Sequence, residues 1–599
     1  MVKLFKYLKP YIGTLIITVL LTIFYSFGIM YLAKLMAKMI EIGPDNKQEI
    51  IKITVRMLLI AIASGVAMII STYTSAYVGT RFSQNLRYQI IKKKQDYSLS
   101  DMEKIGTASL MTRTTNDVSI IQLNFIMILQ MLLKAPVMIV IGLILAFNTN
   151  AKIATIMTIS LLVFIIVAVS IGRKVLPMFD VIQVQYDDMT HSFREVITGV
   201  RVIRAFRKEK HEEKKINNSA SSFALTGIRI NKKFALLIPL LILMINLGIL
   251  SIISYGGFTA KSLSDLTNMT AMIEYLTIIM FNILMAMFVI LEIPRAQTSA
   301  KRINKVLDLK VSVSNGKISE IFNTNIRELE FKNVSYTYHD SSSDTLKNLN
   351  FKVHSGETIA IVGSTGSGKS TVSKLIPRFF DVTFGQILLN GIDISTINQT
   401  ILRDNIGYIP QKAFLFRGTI ASNLKFGNKD ASYDDLVKAS KIAQAHDFII
   451  NKDDGYDSYV AQGGTNLSGG QKQRLCIARA LVKRPYIYVF DDSFSALDFK
   501  TDSALRKQLK ENIKDAITVI IAQRITTIMD ADKIVVLEDG KMVGLGTHHE
   551  LIKSNKAYLD IALSQMTEKE LFGDLLWKKL LWKDFLVIYL HKRKNLLLF

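Results

Sequence analysis

Residues 363–371 read Gly-Ser-Thr-Gly-Ser-Gly-Lys-Ser-Thr, and further along the chain residues 467–471 read Leu-Ser-Gly-Gly-Gln. The first stretch has the pattern of a phosphate-binding loop, in which glycine turns expose backbone N–H groups to phosphate oxygens. In such a loop Lys369 reaches the β- and γ-phosphates, and the Ser370 hydroxyl can bind Mg²⁺. We therefore predict a nucleoside triphosphate site made by Gly363, Ser364, Thr365, Gly366, Ser367, Gly368, Lys369, Ser370 and Thr371.

The first half of the chain is unusually apolar. The 599 residues are 49% hydrophobic, with a mean hydropathy of +0.28 despite a net charge of +24. Six apolar stretches each approach or exceed the ~20 residues needed to cross a bilayer. They are residues 11–33, 55–79, 124–147, 153–172, 234–258 and 270–293. Buried helices of a soluble domain would not supply six such runs, so residues 1–310 are predicted to form a six-helix transmembrane domain.

The distribution of charge predicts the orientation in the membrane. Lysine and arginine cluster at the N-terminus, at 87–94 and along 201–233, whereas the loops 41–53, 147–152 and 259–269 are short and nearly neutral. This positive-inside pattern is typical of a multi-pass protein of the cytoplasmic membrane with a cytoplasmic N-terminus. Anionic membrane lipid accounts for the basic excess, so no nucleic-acid partner is needed. The single cysteine, Cys476, excludes an intramolecular disulfide and fits a reducing compartment.

The composition changes after the sixth apolar run. Residues 311–326 are predicted to be a linker, and 327–568 have the pattern of a cytoplasmic α/β domain with strand-like runs at 357–362, 486–490 and 517–521. Residues 569–599 form a basic, apolar C-terminal tail. Its part 573–599 is either a basic interfacial helix or a sequence artefact at a gene junction, and we assign it no function.

The phosphate loop, the LSGGQ run and Asp491 at the end of an apolar strand together resemble ATP-binding cassette (ABC) proteins. A membrane half followed by a cassette on one chain resembles an exporter half-transporter, typical of bacteria, and the resemblance covers about 1–568. Gly106, Arg113, Asn116 and Asp117 resemble the family's first intracellular loop, and 296–303 its exit from span six. The resemblance implies an all-α six-helix transmembrane domain followed by an α/β P-loop nucleotide-binding domain that uses ATP and Mg²⁺.

The same resemblance implies roles for individual residues. Tyr338, the aromatic before the first core strand, would stack on adenine; Gln411 would contact Mg²⁺ and sense the membrane domain. Asp491 would hold Mg²⁺ through water, with Ser370 and Gln411 as the other predicted metal contacts. The loop across the dimer interface would be Ser495, Ala496, Leu497 and Asp498.

Two residues depart from the family pattern. Where a glutamate usually polarises the attacking water, this chain has Asp492, whose carboxylate is set back by ~1.5 Å. A displacement near 1 Å can cost ~10²-fold in rate. Where a histidine usually contacts the γ-phosphate, the chain has Gln523, which cannot carry a proton at neutral pH. We predict an impaired catalytic site, and slow turnover there stays an open alternative.

Cassettes of this family pair head to tail, so the intact signature Leu467, Ser468, Gly469, Gly470 and Gln471 would serve the partner's site. The chain thus resembles the degenerate-site subunit of heterodimeric bacterial multidrug exporters. The expected partner is a second ABC half-transporter in a heterodimer, with a homodimer as the alternative.

The apolar residues of spans five and six predict a hydrophobic or amphipathic small-molecule substrate, although lipid-facing and helix-packing roles suit each of them singly. They include Met280, Phe281, Met285, Met287 and Phe288. Lys134, Glu274 and Glu292 are the ionisable residues in or bordering spans, with helix-end snorkelling as the alternative for the two glutamates. Two other functions stay open: a homodimeric lipid or peptide exporter with slow ATPase sites, and an ATP-gated regulatory membrane protein.

Overall fold

The computed structural model describes residues 2–43, 46–260, 262–318, 328–338, 341, 343–567 and 570–571. The chain divides into two compact units. One comprises Met1–Asp96 with Ile105–Lys310, and the other comprises Tyr97–Lys104 with the chain from Val311 onward. The predicted segment 573–599 and residues 319–326 of the predicted linker lie outside the described residues.

The first unit is helical. Six of its described helices are long and apolar enough to cross a membrane, which confirms the six apolar runs. They are Lys3–Ile42, Lys47–Gln95, Thr107–Thr149, Ala151–Ala205, Glu209–Thr259 and Leu263–Leu307. The fourth has 55 residues and at 1.5 Å per residue extends about 80 Å, far more than the ~30 Å of hydrocarbon. The charged segments between apolar runs are therefore continuations of the spanning helices.

Close approaches between these helices occur at glycines. A Cβ on Gly142 would meet Ile279 Cδ1 at 2.6 Å, and one on Gly248 would meet Leu276 Cδ2 at 2.5 Å. Small residues let helix backbones pack tightly in a bilayer. Both glycines receive side chains of the sixth spanning helix, which buries residues along most of its length and is central to the core of this unit.

The two segments that resemble family loops meet inside the first unit. Ser299 Oγ donates to Asp117 Oδ1 at 2.9 Å, and an Arg302 guanidinium nitrogen lies 3.8 Å from the same oxygen. Arg113 donates to the Arg302 carbonyl at 3.1 Å. Asp117 ends a π-helical turn, Arg113–Asp117, and is buried. These contacts tie the start of the third spanning helix to the end of the sixth.

The second unit is built on a ten-stranded sheet in the order β5-β4-β1-β2-β12-β11-β3-β10-β9-β6. The strands are β1 Glu328–Tyr336, β2 Leu346–His354, β3 Thr358–Gly363, β4 Phe384–Leu389, β5 Ile392–Asp393, β6 Ile406–Ile409, β9 Ile487–Asp491, β10 Ile517–Ile521, β11 Lys533–Glu538 and β12 Lys541–Gly546. A separate pair is β7 Gly418–Thr419 with β8 Tyr459–Val460. The strands predicted at 357–362, 486–490 and 517–521 are confirmed as β3, β9 and β10.

Strands β11, β3, β10, β9 and β6 run parallel and form the centre of the sheet. Their side chains alternate between two cores, as the period of a strand requires. In β3, Ile359 and Ile361 pack into one core, whereas Ala360 and Val362 pack into the other. Helices that cover both faces make the near-continuous apolar strands possible. The carboxyl ends of β3, β9 and β10 therefore open at one edge, where the candidate site lies.

The helices of this unit are short. They are Leu99–Ile105, Lys369–Leu375, Gln399–Asp404, Ile420–Lys425, Tyr433–Ile442, His446–Ile450, Gly469–Lys483, Phe499–Asn512, His548–Ser554 and Lys556–Leu563. The helix Leu99–Ile105 begins in a sequence segment that otherwise connects spanning helices, yet residues 97–104 cluster with this unit. Asp101 Oδ2 accepts hydrogen bonds from Ser98 N at 3.1 Å, Ser98 Oγ at 2.9 Å and Ser312 N at 3.0 Å. We call this group the Asp101 clasp.

Candidate nucleotide-binding site

The phosphate loop follows β3 directly and leads into the helix Lys369–Leu375. Gly366 and Gly368 have φ of +86° and +95°, a left-handed backbone that favours glycine. A Cβ on Gly368 would come within 2.6 Å of Leu346 Cδ2, whereas a Cβ on Gly366 would meet nothing within 4 Å. The loop is thus packed tightly on one side and open on the other, which leaves room for a phosphate chain.

Lys369 bends back over this loop. Its Nζ donates to the carbonyls of Gly363 at 2.8 Å and Ser364 at 2.6 Å. Burial lowers the pKa of the Lys369 ammonium, and the nearby Asp492 carboxylate opposes that effect. A buried cation held by two neutral carbonyls is well prepared to exchange them for anionic phosphate oxygens.

Asp491 ends β9 beside the phosphate loop and is 3% exposed. Its Oδ2 accepts hydrogen bonds from Ser373 Oγ and Tyr408 OH, both at 2.8 Å. Its Oδ1 is buried with no hydrogen-bond partner. A buried, unpaired carboxylate oxygen is costly unless it receives a cation or a water bound to one. This atom therefore fits the Mg²⁺ that the family implies, with Ser370 at the start of the adjacent helix.

Asp492 brings together the residues that the sequence singled out. Its Oδ2 accepts a hydrogen bond from Gln411 Nε2 and another from Gln523 Nε2, each at 3.1 Å. Gln411 follows β6, Asp492 follows β9 and Gln523 follows β10, so the three come from adjacent parallel strands. Both amides point their donors at one carboxylate oxygen, which holds it in place.

The electrostatics of Asp492 are set by its surroundings. Burial raises the pKa of the Asp492 carboxyl, and the neighbouring Asp491 adds to this rise, while the hydrogen bond from Gln411 opposes it. Asp492 also has φ of +49°, an uncommon backbone for a residue other than glycine. Its carbonyl accepts a hydrogen bond from Ser495 Oγ at 2.9 Å, which ties it to the loop Ser495–Asp498.

Tyr338 lies against the phosphate loop, with its OH 3.2 Å from Thr371 Oγ1. Its ring makes edge contacts with Tyr336 at 4.9 Å and Phe380 at 5.6 Å between centroids. Tyr338 lies just past the end of β1 and before β3, the first of the strands predicted from the sequence. Strand β1 belongs to the antiparallel part of the sheet and was not predicted. Adenine stacking by Tyr338 stays a prediction.

The signature begins the helix Gly469–Lys483. Ser468 caps this helix: Gln471 N donates to Ser468 Oγ at 3.3 Å, and Ser468 N donates to Gln471 Oε1 at 3.0 Å. Leu467 is buried, whereas a Cβ on Gly469 would meet nothing within 4 Å. A Cβ on Gly470 would lie 3.3 Å from the Ala496 carbonyl and 3.8 Å from Leu497. The signature and the predicted interface loop are therefore neighbours, and Asp498 caps the next helix.

Three residues that position this site were not recognised in the sequence. Tyr408 and Ser373 orient Asp491 through their hydrogen bonds to its Oδ2. Tyr408 is three positions before Gln411, which was predicted. Gln565 donates to the Gln523 carbonyl at 2.7 Å and accepts from Ile525 N at 2.8 Å. No local pattern connects Gln565 with a segment some forty positions away, so only the fold reveals this contact.

Comparison with known proteins identifies the class. The family model described as ABC transporter matches residues 346–495, and the one described as ABC transporter transmembrane region matches 11–284. The Bacillus subtilis (strain 168) protein named uncharacterized ABC transporter ATP-binding protein YfiB is 35% identical over 511 residues, covering 85% of this chain and 88% of that protein. This chain belongs to the ABC transporter family.

Two further proteins are similar to this chain over most of its length. An ATP-dependent lipid A-core flippase of Syntrophus aciditrophicus (strain SB) is 32% identical over 533 residues, covering 88% of each chain. The solved structure of a bacterial Atm1-family ABC exporter with ATP bound has the same fold, with a TM-score of 0.78, 24% identity and coverage of 94% of this chain and 99% of that one. The chain is an ABC half-transporter with the fold of that exporter, an ATPase-coupled, multi-pass protein of the plasma membrane. Its family binds ATP with Mg²⁺.

Proposed function

We propose that this chain is one half of a heterodimeric exporter of hydrophobic or amphipathic compounds, and that its own ATP site is degenerate. The observation that carries the proposal is the arrangement at Asp492, where two amides, Gln411 and Gln523, donate to one oxygen of a shortened acid. A general base must reach the proton it removes, within about 2.6–3.2 Å or through one water. The shorter, doubly hydrogen-bonded carboxylate is set back from that position.

Gln523 supports the same conclusion. A histidine at this position could carry positive charge towards the γ-phosphate, whereas an amide remains neutral. Gln565 holds the backbone of Gln523 on both sides of the turn, so the amide is well positioned rather than loose. The residue is thus placed to hold a carboxylate and not to stabilise the charge of a phosphoryl transition state.

ATP binding itself is retained in this proposal. When bound, Mg²⁺ neutralises phosphate charge, and the residues for it are Asp491, whose Oδ1 is unpaired, Ser370 and Gln411. Lys369 and the open side of the loop at Gly366 bind the phosphates, and Tyr338 is the adenine contact. The site therefore holds ATP and cleaves it slowly or not at all.

The signature has a separate role in this proposal. Ser468 and Gln471 form a capping box at the start of their helix, and a Cβ on Gly469 would meet nothing within 4 Å. An intact, preorganised helix start of this kind suits contact with the phosphates of a second nucleotide. Because its own site lacks the catalytic pair, this chain would contribute to ATP cleavage through the signature it offers to its partner.

The nature of the cargo rests on the spanning helices. Met280 and Met287 are buried inside the first unit, so helix packing accounts for them. Phe281 and Phe288 are exposed on the sixth spanning helix and remain available to apolar compounds or lipid. A hydrophobic or amphipathic cargo is the class that such surfaces accept.

A second candidate is a homodimeric lipid exporter, which the similarity to the lipid A-core flippase favours. Purification with and without the neighbouring gene product separates the two. The heterodimer predicts little ATPase activity for the chain alone and activity with the partner. Within the pair, Glu→Gln at the partner's catalytic position is expected to abolish ATPase activity, while Asp492→Asn has a much smaller effect. Equal losses from both changes, or robust activity of the chain alone, contradict the proposal.

A further inference from the structure

A single lysine lies deep in an otherwise apolar spanning segment. Lys134 falls within the apolar run 124–147, about 15 Å along the helix from its start and about 20 Å from its end at 1.5 Å per residue. A lysine side chain reaches roughly 6 Å, so its ammonium cannot snorkel to either surface. An unpaired charge at the centre of a spanning helix is costly. Such a group needs a compensating partner.

The neighbours of Lys134 do not supply a counter-charge. Its Nζ lies 5.1 Å from the centroid of the Tyr25 ring, a cation–π contact. Within the described residues, no carboxylate forms an ion pair with Lys134, and its Nζ donates no hydrogen bond. The small cavity beside it, about 10 Å³, is lined by Thr22, Thr72, Gln130 and other neutral residues. This volume holds about one water.

Some of the polar groups around the cavity hydrogen-bond one another. Thr22 and Ser71 share a hydrogen bond of 2.9 Å, and Gln130 Nε2 donates to Ser75 Oγ at 2.8 Å and to the Thr72 carbonyl at 3.3 Å. These contacts join the first three spanning helices around Lys134. Lys134 is the one charged residue among those that line the cavity, and its side chain is partly exposed.

The helix changes its geometry at this place. A π-helical turn, Ile128–Leu132, precedes Lys134, with Leu133 N donating to the Ile128 carbonyl at 2.9 Å. Pro136 follows two residues later. Such turns are common at functional sites because they re-aim the side chains that follow. Gln130 lies within this turn and Lys134 just after it, and both line the same small cavity.

We propose that Lys134 binds the anionic group of an amphipathic cargo, such as a carboxylate, sulfate or phosphate, while the apolar part of the cargo lies along the spanning helices. This inference rests on the proposed export function and narrows its substrate class to anionic amphipaths. The anion supplies the counter-charge that the described residues lack. Because the cavity holds only about one water, the anion would meet the ammonium from the partly exposed side of Lys134. The source is either a membrane lipid headgroup or a free anionic amphiphile.

The test uses inverted membrane vesicles that contain this full chain and its co-expressed partner. One pair of probes is a fluorescent fatty carboxylate and its uncharged amide, and a second pair is fluorescent phosphatidylglycerol and phosphatidylcholine. ATP-dependent movement of each probe is compared for the wild type, Lys134→Met, Lys134→Arg and the control Lys34→Met, an exposed lysine of the first spanning helix. The readout is the ratio of anionic to uncharged or zwitterionic transport in the same vesicles, which loss of folded protein does not change.

We expect Lys134→Met to lower this ratio about tenfold or more, Lys134→Arg to restore most of it and Lys34→Met to leave it unchanged. A change with the carboxylate pair identifies free amphiphiles, and a change with the lipid pair identifies headgroups. If the wild type moves probes of both kinds but Lys134→Met leaves both ratios unchanged, the assignment of Lys134 is wrong and export stands. If the wild type moves no probe while it hydrolyses ATP, the proposed export function fails and this inference falls with it.

Discussion

At the scale of single residues, the site differs from the family pattern at two side chains. Asp492 is one methylene shorter than the usual glutamate, and Gln523 has an amide in place of the imidazole ring of the usual histidine. Asp492 retains the charge of a catalytic acid, yet its Oδ2 is held by Gln411 and Gln523 at 3.1 Å each. In the proposed function, Lys369, Asp491 and the phosphate loop still bind the triphosphate. The departures at Asp492 and Gln523 were visible in the sequence. The convergence of Gln411 and Gln523 on one oxygen of Asp492 was not visible, because it requires three strands to be neighbours in the sheet.

Restoring the common residues tests their chemical role. The double change Asp492→Glu with Gln523→His is expected to raise turnover at this site by roughly ten- to hundredfold, because it returns the carboxylate to the water and a titratable group to the γ-phosphate. Turnover is measured with the partner's own site inactivated by Glu→Gln. Asp492→Glu alone is the matched control and should recover less. No gain from the double change would show that these two residues do not limit hydrolysis.

The raised pKa of Asp492 predicts an effect on stability. Because folding raises the pKa of this acid, its ionisation destabilises the folded state once the pH exceeds the unfolded value of about 3.9. The resulting decrease in the free energy of unfolding grows as the pH rises towards the pKa of the folded state and reaches its full size above that pKa. Asp492→Asn is therefore expected to raise the Tm by about 1–3 °C at neutral pH, a gain that shrinks towards about pH 4.

Differential scanning fluorimetry across this pH range, without nucleotide, checks the prediction. Asp515→Asn, at a carboxylate outside the site, is the control and should show no such trend. A lower Tm for Asp492→Asn at neutral pH would mean that the hydrogen bonds from the two glutamines stabilise the ionised form more than burial destabilises it.

At the scale of elements, local patterns predicted much of the fold. The six long apolar runs form six helices, and the apolar runs at 357–362, 486–490 and 517–521 form parallel strands. Both could be predicted because the length and apolar character of a run depend only on consecutive residues. Strand β1 was missed, although the alternation of charged and apolar residues along Glu328–Tyr336 is the pattern of a half-buried strand. The clasp at Asp101 was missed because its partner Ser312 lies more than two hundred positions away.

The Asp101 clasp gives a prediction for one short helix. Burial would raise the pKa of Asp101, but hydrogen bonds from Ser312 and Ser98 outweigh it and lower the pKa, so the carboxylate is charged at neutral pH. Its Oδ2 accepts all three of these hydrogen bonds, and its buried Oδ1 accepts none from the residues that the structure describes. Asp101→Ala removes these bonds, each worth about 1.5–3 kcal/mol to a charged group. Amide exchange in Leu99–Ile105 is expected to accelerate about tenfold or more.

Hydrogen–deuterium exchange with mass spectrometry measures this change. Glu103→Ala, an exposed acid on the same helix, is the matched control and should leave the exchange rate nearly unchanged. Unaltered protection of residues 99–105 in Asp101→Ala would mean that apolar packing, not the clasp, holds the helix in this unit.

At the scale of the whole molecule, each of the two units has a core of its own. In the proposed function, the residues of this chain bind one ATP, and its signature contacts the ATP of a second half-transporter. The partner then hydrolyses its ATP while this chain keeps its own ATP bound. The bound ATP biases the conformational cycle. The anionic cargo inferred at Lys134 belongs to the same cycle but can be tested apart from it.

The most direct measurement is the identity of the nucleotide on this subunit during turnover. The heterodimer is allowed to turn over a radiolabelled photoreactive ATP, crosslinked rapidly, and separated into its two chains, whose bound nucleotides are then analysed. Lys369→Ala is the control for labelling at the intended site. The account predicts that ATP predominates on this chain while ADP accumulates on its partner. ADP appearing on this chain as fast as on the partner would contradict it.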